Sequence, residues 1–293
     1  VELPAMDLVL YQPKELLGEQ VYSRFGAEFP IRFDFLDTME GQNLSLQVHP
    51  LTEYIKKNFG MSYTQDESYY ILDAKDDAVV YLGLKEGIQP TEMISDLESA
   101  QKGEIVFDAD KYINKFPAKK HDHFLIPAGT CHCSGKNAMV LEISATPYIF
   151  TFKLWDWQRL GLDGLPRPIH IEHGKQVIQW DRTTEWVKEN LVNATYEVKE
   201  EGNDCKIEHT GLHELEFIET RRYTIKNSSL HKTHGTVNML NLVDGKSALI
   251  EGDFEPFIVH YAETFIIPAS IKEYTIKPYG CDEVKVLKAY VRF

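Results

Sequence analysis

The sequence predicts a mainly β protein made of two related β-domains. Two observations carry that reading. Short apolar and β-branched runs recur along the chain, punctuated by Gly, Pro, Asn and Asp, as in sandwiches and barrels. They are Asn43–Val48, Ser68–Leu72, Ala78–Leu84, His123–Ile126, Met139–Ile143 and Tyr148–Leu154, then Thr236–Val243, Phe257–Val259, Thr264–Ile267, Glu273–Ile276 and Glu283–Tyr290. The second observation is an echo. His123-Phe124-Leu125-Ile126-Pro127-Ala128-Gly129-Thr130 is matched by Thr264-Phe265-Ile266-Ile267-Pro268-Ala269-Ser270-Ile271, about 140 residues later, and repetition of one supersecondary unit implies a duplicated domain.

The helices are few and short. Met93, Ile94 and Leu97 recur at helical spacing, with Gly103 following, which predicts a helix over Pro90–Gln101. Thr183–Asn190 reads as a second. The expected division is a first domain over residues 1–155 with a helical insertion near 90–115, a connecting segment over 156–204, and a second domain over 205–293.

Composition narrows the function classes. Hydrophobic residues make up 43% and aromatics 12%, which suits a folded core. A formal net charge of −14 argues against nucleic acid, since phosphate backbones are gripped by surplus Lys and Arg. No apolar run approaches the roughly 20 residues of a membrane helix, so no membrane partner is expected. Cys131, Cys133, Cys205 and Cys281 are too few and scattered for a disulfide scaffold, and a reduced, cytoplasmic setting is expected. The chain opens with Val1, as a processed form or a piece of a longer polypeptide would.

A metal site is the chemistry the residues point to. In Leu44-Ser45-Leu46-Gln47-Val48-His49-Pro50, strand alternation puts Ser45, Gln47 and His49 on one face and the apolar residues on the other. Pro127-Ala128-Gly129-Thr130-Cys131-His132 has the spacing Pro-x-Gly-x-x-His, the second motif of the cupins, which are double-sheet jelly rolls holding a metal inside. The first cupin motif runs His-x-His then Glu; here Gln47-x-His49 and Glu67 stand in its place. Two imidazoles, a carboxylate and an amide oxygen suit Zn²⁺. Cys131 and Cys133 flank His132 and point to the opposite face. His170-Ile171-Glu172-His173 lacks the helical spacing of a zinc motif and reads as structural, and His121 and His123 read as solvated or rim residues. In the second repeat Ser270 and Glu273 replace Gly129 and His132, so that copy is expected to be a metal-free structural partner.

With Phe35-Leu36-Asp37, Gln47-Val48-His49-Pro50, Asp66–Leu72, Pro127–His132 and Pro166–Glu172 together, the chain resembles the type I mannose-6-phosphate isomerases from about residue 15 onward. The resemblance implies two cupin-like jelly-roll β-barrels in tandem with a few short helices. It also implies one Zn²⁺ on Gln47, His49, Glu67 and His132, Ser45 facing the substrate, and a small sugar or sugar phosphate as partner, in a monomer or homodimer. The implied reaction interconverts mannose 6-phosphate and fructose 6-phosphate. Lys153 is the expected catalytic cation and Arg159 an expected substrate-binding residue.

The pattern departs from the family at several points. Asp34 and Gln65 stand where Lys is usual, Lys153 where an Arg is usual, and the family's amino-terminal block is absent. These departures leave open a catalytically weakened or non-enzymatic sugar-binding cupin, possibly part of a larger polypeptide, or an isomerase of an unphosphorylated sugar.

Overall fold

A computed structural model describes residues 3–164, 166–200, 202–203, 205–211 and 216–293 of the chain. The chain forms two compact units, Asp34–Ala194 and the segment up to Phe33 joined with Thr195–Phe293. Val1 lies outside the described residues.

Among the described residues the first barrel has nine strands: β1 (Arg32–Asp37), β2 (Leu46–Val48), β3 (Glu67–Ala74), β4 (Val79–Leu84), β5 (Ile113–Pro117), β6 (His123–Ile126), β7 (His132–Ser134), β8 (Ala138–Ser144) and β9 (Phe152–Trp155). They form two sheets, ordered β1-β8-β3-β6 and β5-β4-β7-β2-β9. The expected strand over Asn43–Val48 shortens to β2, because only Leu46–Val48 pair with β7 and β9.

Alternation on β2 sorts its residues as expected. Leu46 and Val48 join Cys131, Cys133, Phe152 and Leu154 in one apolar cluster on the outer face of the second sheet. The helix Pro90–Gln101 covers that cluster, with Met93 and Leu97 fully buried. Each such side chain contributes roughly 1.5–3 kcal/mol through burial. Pro90 at the first turn lacks an N–H that would have no partner there, and Gly103 takes φ +79° just past the end. The opposite face of the sheet is left for Gln47, His132 and Lys153.

The second barrel adds β10 (Tyr196–Val198), β11 (Lys206–His209), β12 (Ile218–Ile225), β13 (Ser229–Lys232), β14 (Asn238–Asp244), β15 (Ser247–Gly252), β16 (Phe254–His260), β17 (Thr264–Ile267), β18 (Glu273–Pro278) and β19 (Val284–Val291). Its sheets are β10-β11-β12-β19-β14-β17 and β13-β18-β15-β16. The run β12-β19-β14-β17 repeats β1-β8-β3-β6, and β16-β15-β18-β13 repeats β5-β4-β7-β2. The sequence echo is therefore a repeat of topology. Both copies close the same turn: Thr130 N donates to Pro127 O at 3.2 Å, and Ile271 N to Pro268 O at 3.0 Å.

The compact units divide the chain differently from the expected boundaries. Helices Ala5–Tyr11, Pro13–Leu17 and Glu19–Phe25, which the strand-centred reading missed, belong with the second barrel. The carbonyls of Leu16 and Leu17 accept from Ala269 N and Val237 N at 2.9 and 3.2 Å. Residues 156–194, expected as a connector, belong to the first barrel. Arg182 donates to the carbonyls of Pro127 and Ala128 at 2.9 and 2.7 Å, and Leu125 N donates to Leu191 O at 2.8 Å.

Candidate metal centre

Three strands bring the candidate ligands to one point. Gln47 on β2 is paired with His132 on β7, and Glu67 opens β3 opposite Ile126 and Ser144. His49 follows β2, where its carbonyl accepts from Gly129 N at 2.9 Å and ties the first motif to the turn of the second. Asp66, beside Glu67, accepts from Ala128 N at 2.6 Å and fixes the same turn from the other side.

The side chains meet in the interior. Glu67 Oε2 lies 3.2 Å from His49 Nε2, and Glu67 Oε1 lies 3.0 Å from His132 Nε2. The amide nitrogen of Gln47 is 3.1 Å from His132 Nε2, and a half-turn of the amide puts its oxygen there instead. Four donors about 2.0–2.1 Å from one tetrahedral ion stand about 3.3 Å from one another, and these spacings fit that figure. Among the described residues, His49, Glu67 and His132 are the one such group of three, with candidate donor atoms all within 4.8 Å of one another.

Protonation supports the same use. His49 Nδ1 and His132 Nδ1 each lie 2.8 Å from a backbone carbonyl, those of Phe150 and Thr130. A ring that donates its Nδ1–H outward turns a bare Nε2 inward, which is the tautomer a metal requires. His49 and Glu67 are 1% and 0% exposed, yet His49 Nε2 and Glu67 Oε1 have no hydrogen-bond partner. Burial alone would push the Glu67 carboxyl up; positive charge on the rings, His49 foremost, holds it well below the usual carboxylate range, and with both rings neutral a cation between the three groups supplies that charge instead. A buried anion between bare ring nitrogens is a cradle for a cation.

Gln65 supports the centre from behind. Its amide donates to Glu67 Oε2 at 2.8 Å and to Glu142 Oε1 at 3.2 Å, and its oxygen accepts from Phe150 N at 3.0 Å. Phe150 in turn supplies the carbonyl that orients His49. Burial, then the Glu67 charge, pushes the Glu142 carboxyl well above its usual range.

The centre opens on a cavity of about 490 Å³, lined by Ser45, Gln47, His49, Lys153 and Arg159 among others. Lys153 sits on β9 opposite Gln47, and no described residue forms a hydrogen bond or ion pair with its ammonium. Ser45 Oγ is 3.5 Å from Gln47 Oε1. Arg159 lines the cavity with its donors engaged: Nη1 donates to Asn43 O at 2.9 Å, Nε to Asp156 O at 3.2 Å, and Nη2 pairs with the Asp156 carboxylate. Sequence reasoning missed Arg167, which lines the same cavity 3.6 Å from Asp156 Oδ2. Its signal was its place between Pro166 and Pro168.

Other candidates lie elsewhere. Cys131 and Cys133 are buried on the apolar side of the sheet, and burial pushes the Cys131 thiol up to about 12. His170 Nδ1 accepts from Lys153 N at 3.2 Å, and His173 Nδ1 lies 2.8 Å from Tyr54 Oη, both backing the barrel wall. His123, expected as a solvated or rim residue, is buried beside the Tyr70 ring, because the open edge of β6 is covered by the segment 191–193, whose Asn193 N donates to His123 O at 2.8 Å.

No family model matches the chain. Among curated proteins it is 27% identical over 252 residues to the probable mannose-6-phosphate isomerase GmuF of Bacillus subtilis, covering 86% of this chain and 73% of that one. It is 24% identical over 261 residues to the mannose-6-phosphate isomerase ManA of the same organism, covering 89% and 73%. The solved mannose 6-phosphate isomerase from Bacillus subtilis matches with a TM-score of 0.77 at 20% identity, over 98% of this chain and 82% of that one. A putative mannosephosphate isomerase from Archaeoglobus fulgidus matches with a TM-score of 0.73 at 20% identity, over 99% and 81%.

Proposed function

Because this chain belongs to the mannose-6-phosphate isomerase family, we propose that it is a zinc-dependent isomerase interconverting mannose 6-phosphate and fructose 6-phosphate. The observation that carries the reading is the meeting of His49 Nε2, His132 Nε2 and the Glu67 carboxylate at the inner end of a cavity walled by Lys153. Gln47, His49, Glu67 and His132 would hold the ion. When bound, zinc polarises a sugar carbonyl and its neighbouring hydroxyl.

The rest falls to the chain's own side chains. Isomerisation moves a proton between C1 and C2 and leaves negative charge on an enediol oxygen along the way. The Lys153 ammonium donates a hydrogen bond to that oxygen. Ser45 Oγ holds a sugar hydroxyl beside the metal ligands. The phosphate rests at the Arg159 and Arg167 end, where the guanidinium forks orient the far end of the substrate. The proposed setting is cytoplasmic, as the few and scattered cysteines suggest.

A second reading keeps the isomerase and changes the sugar. Asp34 and Glu142 line the same cavity, and the guanidinium of Arg159 is committed to Asp156 and Asn43. Both features favour an unphosphorylated aldose. Zinc-loaded protein assayed side by side on mannose 6-phosphate, free mannose and lyxose separates the two. Turnover of the phosphate ester alone supports the first reading, and turnover of the free sugars alone replaces it with the second. No turnover of any of the three would refute both.

A further inference from the structure

The motif His170-Ile171-Glu172-His173 takes no part in the metal centre, yet its first residue occupies both backbone groups of Lys153. Lys153 O accepts from His170 N at 2.7 Å, and Lys153 N donates to His170 Nδ1 at 3.2 Å. A backbone N–H only donates, so Nδ1 is the bare ring nitrogen and the ring proton sits on Nε2. Partial burial, then the neighbouring Lys153 and His173, lowers this imidazole below its ordinary pKa and favours the neutral form that the bond requires.

Lys153 needs such a partner because of where it lies. Among the described residues β9 is the last strand of its sheet, with β2 on one side and no strand beyond. The ladder also shifts at this residue. Leu46 and Gln47 are neighbours on β2, but their partners, Trp155 and Lys153, are two positions apart on β9. Leu154 is therefore the extra residue of a bulge, and a bulge re-aims side chains while it interrupts the ladder. Phe152, Leu154 and Trp155 all join the outer apolar cluster, which leaves Lys153 as the residue of β9 that lines the cavity with Gln47 and His49.

His170 is itself fixed. It precedes the short helix Ile171–Gly174, and its carbonyl accepts from Gly174 N at 2.8 Å and from His173 N at 3.2 Å. Ile171 is buried in the same apolar cluster as Leu154. Gly174 lies so close to that strand that a Cβ on it would meet Leu154 Cδ2 at 2.4 Å. The helix thus holds the extra residue of the bulge, and His170 holds its neighbour.

We propose that His170 is a positioning residue, whose N–H and bare Nδ1 clamp the backbone of the bulge and so aim the Lys153 ammonium into the cavity. This rests on the reading above in which Lys153 serves the isomerisation. His170 is not among the residues that line the cavity, so its effect on the chemistry passes through Lys153.

The test compares full-length, zinc-loaded wild type, His170→Ala, His170→Asn, Lys153→Met and the Lys153→Met, His170→Ala double variant on mannose 6-phosphate. Deuterium exchange at the Lys153 amide is followed in parallel. His170→Ala is expected to lower kcat about 10- to 100-fold with KM within a few-fold, zinc content unchanged and faster exchange at Lys153. Asn carries an acceptor oxygen close to the place of Nδ1, so His170→Asn should restore most of the loss. In the Lys153→Met background His170→Ala should cost nothing further, as residues acting as one unit require. His170 is exposed, so its variants should melt close to wild type. Wild-type kcat in Lys153→Met would remove the role of Lys153 and this proposal with it. Loss in Lys153→Met beside wild-type kcat in His170→Ala would keep that role and overturn the positioning alone. A loss that Asn does not restore, or that persists without Lys153, would also overturn it. The exchange arm needs no turnover: equal protection of the Lys153 amide in wild type and His170→Ala overturns the clamp.

Discussion

Gln65 Nε2 donates to Glu67 Oε2 at 2.8 Å, and the oxygen of the same amide accepts from Phe150 N at 3.0 Å. One neutral side chain thus fixes the carboxylate and, through the carbonyl of Phe150, the ring of His49. Where the family's usual Lys would place a charge, this chain places a brace. Replacing it should leave the ligands present and loosely aimed. Gln65→Ala is expected to weaken zinc affinity about 10- to 100-fold, measured by competition with a chromophoric chelator. Unchanged affinity would mean that Gln65 is not a support.

Lys153 faces Gln47 across β9 and β2, close to the centre and outside its set of ligands. Lys153→Met keeps most of the side chain's length and removes its charge. The expected result is full zinc content with kcat lower by about 10²- to 10³-fold. A kcat within a few-fold of wild type would remove Lys153 from the chemistry.

Gly129 holds φ +88°, and a Cβ there would meet Gln179 Cγ at 2.6 Å and Val177 O at 3.0 Å. Both the backbone conformation and the space require glycine. Gly129→Ala should destabilise the first barrel by about 2 kcal/mol or more, read as a lower urea midpoint, and should lower zinc content by displacing His132. A variant as stable as wild type would contradict this account of the turn.

That turn shows what was legible in the sequence and what was not. Pro127, Gly129 and His132 announce themselves because a tight turn followed by an inward strand demands those residue types at that spacing. Leu46 and Val48 sort from Gln47 and His49 by alternation alone. Gln65, Arg167 and the carbonyls of Phe150 and Thr130 were not legible, since each acts through a partner distant in the chain or through backbone that any residue supplies. The amino-terminal helices escaped for a related reason. Leu16 and Leu17 are buried against residues more than two hundred positions away, and their periods are too short to stand out.

Lys288 carries a pH signature. Burial lowers its ammonium to about 8, from 10.5 in the open chain. Below pH 8 it is charged in both states, and the folded state bears the cost of burying it. Between pH 8 and 10.5 the folded state sheds its proton first, so stability rises with pH across that window. Relative to Lys288→Met, wild type should gain up to about 3 kcal/mol in urea unfolding between those limits. A difference that stays flat would place the ammonium in contact with water or an anion at every pH.

The most direct measurement is metal content. Wild type and His49→Ala are loaded with zinc, dialysed together and analysed for the element. One ion per chain in wild type and a large loss in the variant is the expected result, since His49 supplies one of the ion's four proposed bonds. Equal zinc in both proteins would contradict the site on which the proposed chemistry depends.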